Sequence, residues 1–94
     1  MKQKIELAFA KDLSKLAGNT FGVNTYEKQV KGKIDLSKQI VFVIPSGIDK
    51  VASSFVQGFF YEIVNDIGIS GIEEQISFES SIPNIKEFVL ENLE

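Results

Sequence analysis

Two adjacent serines, Ser53 and Ser54, open the aromatic-rich stretch "VASSFVQGFFYEIV" (Val51 to Val64) and are the side chains here best suited to chemistry. A hydroxyl at the start of a helix has two common uses. It can cap, accepting a hydrogen bond from one of the N–H groups that the first turn leaves unpaired. It can also be a switch, because a phosphate on it adds nearly two negative charges. Ser54-Phe55-Val56-Gln57 has the S-x-x-Q spacing of a capping box. Ser53, one residue earlier, can cap in its place, so both readings stand.

Nucleophilic catalysis by either serine needs a base, and the chain contains no histidine. It contains no cysteine, which removes thiolate chemistry, disulfides and sulfur-ligated metals together. Glu62 and Asp66 are four residues apart and can share one helix face. Two carboxylates alone make a weak cation site, and a solvated edge is the simpler account. Ser46-Gly47 lacks the glycine spacing and the following Lys-Ser/Thr of a phosphate loop. These residues predict a protein that is not an enzyme and carries no cofactor and no metal.

Thirteen acidic residues against ten basic ones give a net charge of −3, and the lysines are scattered. Lys2, Lys4, Lys28, Lys31 and Lys33 read as solvated cations; with no basic stripe, nucleic acid is not expected as a partner. The start, "MKQKIELAFAKDL", carries Glu6 within a short apolar alternation and does not read as a signal peptide. Glu62, Asn65 and Asp66 interrupt the most apolar region, so no span of about 18 apolar residues exists and no membrane contact is expected. The expected location is the cytoplasm. With 94 residues, 44% of them hydrophobic, the chain is expected to fold as a single domain, 1–94.

The elements that must position the serines follow from periodicity. "KIELAFA" alternates, with Ile5, Leu7 and Phe9 on one side, which predicts a half-buried strand. A short helix is predicted from a cap at Asn19 or Thr20 to about Gly32. "IVFVIP" is continuously apolar and β-branched, the pattern of a central strand covered on both faces. The loop "SGIDK" leads to a helix predicted over about Ser54–Ile67, with Gly68 as its stop. At 100° per residue Ala52, Phe55, Val56, Phe59, Ile63 and Ile67 share its inner face, and Ser54, Gln57, Tyr61 and Asn65 the outer one. "EEQISFES" predicts a third strand, and "IPNIKEFVLENL" a last helix with Pro83 in its first turn. The order is β-α-β-α-β-α: an α/β fold with a small, mainly parallel or mixed sheet and packed helices. Residues 35–39 are a place for one extra short strand.

The stretch "IVFVIPSGIDKVASSFVQGFF" resembles the central motif of STAS domains, the family of bacterial anti-sigma factor antagonists and sulphate-transporter tails. A STAS-like domain family of unknown function, found in bacteria and phages, is similar over most of the chain, through "IELAF", "NTFGVNTYEKQVKGKI", "IVFVI" and "SSFVQGFF". The resemblance implies a STAS-like fold and a non-catalytic regulatory module that binds another protein, a histidine-kinase-like ATPase being one such partner. It aligns Ser53 with the residue phosphorylated in the antagonists and Ser54 with the next. Ala52 and Phe55 depart from the Asp and Gly that antagonists usually carry there. The expected contact surface is the 46–50 loop, with Ser46, Gly47 and Asp49, and the start of the following helix, with Ser53, Ser54, Gln57 and Tyr61. A structural or self-associating domain, including a homodimer, and a small-ligand-binding module are the alternative readings.

Overall fold

The computed structural model describes residues 3–94; Met1 and Lys2, the latter read above as a solvated cation, lie outside the described residues. Along the chain come β1 (Gln3–Glu6), β2 (Lys15–Leu16), α1 (Asn19–Gln29), β3 (Ile40–Val43), β4 (Lys50–Val51), α2 (Ser53–Phe59), α3 (Tyr61–Gln75), β5 (Ile76–Glu79) and α4 (Ile85–Leu93). The fold is α/β: a three-stranded parallel sheet in the order β1-β3-β5, plus a separate two-stranded parallel ladder, β2-β4. The apolar run does form the central strand. Ile40 and Phe42 are fully buried and Val41 nearly so.

Two right-handed crossovers stepping the same way across a sheet put their helices on one face. That face carries Ile5, Leu7, Ile40, Phe42, Ile44, Ile76 and Phe78, which join the helical residues Tyr26, Phe55, Phe59, Ile63, Ile85 and Val89 in one apolar core. The opposite face has two register rows, Lys4-Val41-Ser77 and Glu6-Val43-Glu79. Parallel sheets are usually covered on both sides. Here an ion pair joins the two edge strands, Lys4 Nζ reaching Glu79 Oε1 at 3.3 Å.

The predicted helix over 54–67 is two helices. Phe60, at φ −93° and ψ 3°, separates α2 from α3. In one unbroken helix Phe60 would lie about 140° away from Phe55 and off the inner face. With the break, Phe60 is buried against Phe42 and Phe78, at ring distances of 6.1 and 6.0 Å. As predicted, Gly68 does stop a helical segment, the first of the two that make up α3. It sits inside α3 at φ 73° and ψ 174°, a kink that only glycine tolerates well, and the helix resumes to Gln75. The helix therefore takes Glu73–Gln75 from the predicted third strand.

Other boundaries also shift. α1 ends at Gln29 and its cap is Gly18, at φ 103°, not Asn19 or Thr20. Residues 35–39 hold no strand: Asp35 Oδ1 accepts hydrogen bonds from the Ser37 N–H and hydroxyl and folds them into a turn. Pro83 precedes α4 instead of entering it, because Asn84 intervenes at φ 58°. The added strands are β2 and β4.

α1 and α2 cross at paired glycines. A methyl on Gly22 would run into the Phe55 carbonyl oxygen and lie 2.7 Å from the Phe59 nitrogen. A methyl on Gly58 would run into the Asn19 carbonyl oxygen. The two backbones touch, and this brings the first turn of α2 against the start of α1.

Candidate functional site

The carboxyl end of β3 feeds the surface on which the predicted contact residues lie. Ile44 is still paired, its N–H donating to the Glu79 carbonyl at 2.8 Å, and Pro45 then starts a turn closed by the Ile48 N–H at 3.0 Å. Ser46 and Gly47 are exposed at its tip, whereas Ile48 is buried and anchors it. The segment 46–50 is thus a loop only in its first half. The Asp49 N–H donates to the Ser14 carbonyl at 2.9 Å, and Lys50–Val51 pairs with Lys15–Leu16. Asp49 remains exposed.

The two serines separate in role. Neither caps α2 through its side chain: Ala52, with extended backbone, is the N-cap residue, and no side-chain cap bond is made. The capping-box reading of Ser54 and Gln57 is therefore corrected. The Ser54 hydroxyl accepts a hydrogen bond from the Gly18 N–H at 2.9 Å, tying α2 to the start of α1. Gln57 Nε2 donates away from the cap, to the Asn92 carbonyl at 3.4 Å. Ser53 is the first residue of α2 and is exposed.

Removing the Ser54 hydroxyl leaves the half-buried Gly18 N–H without its partner. Ser54→Ala is expected to cost about 1 kcal/mol, or about 4–8 °C in Tm. Amide exchange locates the loss: the Gly18 amide should exchange faster, whereas loss of an α2 cap would speed the amides of Phe55 and Val56 instead.

Beside this surface lies a groove of about 400 Å³ between the β2-β4 ladder and the start of α4. Val51, Ile82, Ile85 and Phe88 give it an apolar floor, and Lys15, Asp49 and Lys50 stand on its rim. Of the predicted contact residues only Asp49 lines this groove; Ser46, Gly47 and Ser53 are exposed nearby in the chain. Gln57 and Tyr61 are not brought to it. They line a second depression of about 290 Å³ with Val64, Asn65 and the end of α4, where Tyr61 is 64% exposed. Sequence reasoning missed the groove, since its far wall comes from residues 82–88 and its rim from Lys15.

Glu62 pairs with Lys31 at 3.3 Å, which accounts for that carboxylate on α3. Among the described residues no group of three or more His, Cys, Asp or Glu side chains is placed to hold a metal ion. Two ionisable groups elsewhere are shifted. Burial, then the nearby Glu62 carboxylate, raises the Tyr26 phenol above its usual range. The Ser37 hydroxyl and N–H hold the Asp35 carboxyl below its own. Tyr26 belongs to the core and Asp35 to the turn before β3.

No helix among the described residues is long and apolar enough to cross a membrane. No protein-family model, no characterised protein and no solved structure matches this chain.

Proposed function

We propose that this chain is a STAS-like, non-catalytic regulatory module that binds another protein through the Ser46–Asp49 turn, the start of α2 and the groove beside them. One observation carries the reading: Ser46, Gly47, Asp49 and Ser53 are all exposed in the segment beyond the carboxyl end of the central strand, and Asp49 borders an apolar-floored groove. In open parallel α/β sheets that end is where ligands and partners are usually met. The sequence supports a contact role over a reaction, because no imidazole or thiolate is available to either serine. A histidine-kinase-like ATPase is the partner class that the STAS resemblance suggests, with Ser53 as the residue it modifies.

The test compares Ser53→Asp with Ser53→Ala in recovery of partners from the native host, alongside thermal unfolding of both. Ser53 makes no side-chain hydrogen bond among the described residues, so both variants are expected to unfold within about 0.5 kcal/mol of wild type. The Asp variant is expected to lose a partner that the Ala variant keeps, through repulsion and desolvation at the contact. Equal recovery from both, with unmodified Ser53 in protein from the host, would end the switch. Absence of any partner specific to the wild type would end the protein-binding reading.

A further inference from the structure

The β2-β4 ladder sets Lys15 and Lys50 directly opposite each other as register partners. Register partners project to the same side, with neighbouring strands about 4.8 Å apart, and like charges so placed destabilise a ladder. Lys4, Lys31 and Lys38 each have a carboxylate partner. Among the described residues Lys15 and Lys50, like Lys11, Lys28, Lys33 and Lys86, have none within 4.0 Å, but only Lys15 and Lys50 face each other across a ladder. In a chain of net charge −3 this is a local reversal of sign. Both lysines border the groove whose floor is Val51, Ile82, Ile85 and Phe88. Asp49, on the same rim, offsets one of the two charges.

We propose that this groove seats an acidic amphipathic segment of the partner protein. An apolar side chain of that segment lies on the Ile85–Phe88 floor, and its flanking carboxylates meet Lys15 and Lys50. The inference rests on the protein-binding reading and adds the chemistry of what is bound. About 400 Å³ of open, apolar-floored space suits one or two large side chains. Two lysines are too few to track a nucleic-acid backbone, whose affinity comes from many phosphate contacts. The paired cations draw in the acidic segment and fix its register, which is what rim charges chiefly contribute.

The test uses the full chain as bait for a displayed library of short random peptides. Selected peptides are expected to carry Asp or Glu on both sides of a Leu, Ile or Phe. A synthetic copy should bind about tenfold more weakly to the Lys15→Glu/Lys50→Glu variant and lose affinity as salt is raised, while Lys28→Glu on α1 changes neither. An unchanged Tm of the double variant shows that the loss is not unfolding. Selected peptides without acidic bias, peptides indifferent to the two lysines, or no selected peptide at all would overturn the assignment. The readings separate in the native host. Loss of the partner with Ser53→Asp but not with the double lysine variant keeps the protein-binding reading and removes the groove from it.

Discussion

Phe59→Ala is expected to lower the stability of the fold by about 3–5 kcal/mol, the largest single loss that a truncation here should produce. Phe59 is 2% exposed and its ring meets four others: Phe60 at 4.9 Å, Phe42 at 5.3 Å, Phe55 at 5.7 Å and Tyr26 at 6.0 Å. Those partners come from α1, α2, the central strand and the break at Phe60, so the cavity would open where every layer meets. None of them can follow the missing ring without leaving another contact. Small domains are stable by about 5–15 kcal/mol, so the variant should be marginal in a urea titration. Tyr61→Ala, at a ring 64% exposed, should stay within about 0.5 kcal/mol of wild type. Similar midpoints for the two would contradict the core described here.

Gly58→Ala is expected to destabilise by about 3 kcal/mol, although alanine is the better helix former by about 1 kcal/mol. The added methyl would meet the Asn19 carbonyl oxygen, with the Asn19 carbonyl carbon at 3.0 Å and the Val23 nitrogen at 3.1 Å. These are backbone atoms of α1, so no side chain can rotate away and the helices must part. Gly47→Ala is the control, because nothing lies within 4 Å of its added methyl. It should be neutral or slightly stabilising, by restricting the unfolded chain. Thermal or chemical unfolding of the pair checks this: a stable Gly58→Ala would mean that the helices do not touch through their backbones.

The parts of the fold legible in the sequence are those with a long, one-sided signal. Ile40–Ile44 has no polar interruption, and only a central strand uses such a run in an α/β chain. Phe55, Val56, Phe59 and Ile63 are buried as their spacing predicts, although the break at Phe60 puts Ile63 on the next helix. The β2-β4 ladder was not legible, since two residues per strand carry no period to detect. Gly68 was legible as a stop, but the second helical segment that follows it directly was not. Here φ 73° lets the chain kink and continue, and Ile72 goes to the core. The S-x-x-Q pattern at Ser54 matched a local cap, but the hydroxyl is used by Gly18, 36 residues earlier in the chain. Local spacing cannot report a partner brought near by folding. The exposure of Ser46, Gly47, Asp49 and Ser53 followed from a loop between two buried elements. The groove beside them needed the register of Lys15 with Lys50.

The parallel sheet has a consequence for how the chain folds. No two neighbouring strands are joined by a hairpin: the ladders bring together residues 3 and 40, 40 and 76, and 15 and 50. Each pairing must wait until a long intervening segment, helix included, has closed up, so no strand pair can form early as a local nucleus. β3 takes part in both ladders of the main sheet. The contact of α1 with α2 is no more local, since Gly22 meets Phe55 and Gly58 meets Asn19. With its long-range contacts all this distant in sequence, the chain is expected to fold more slowly than a helical bundle of its size, a stopped-flow measurement being the check.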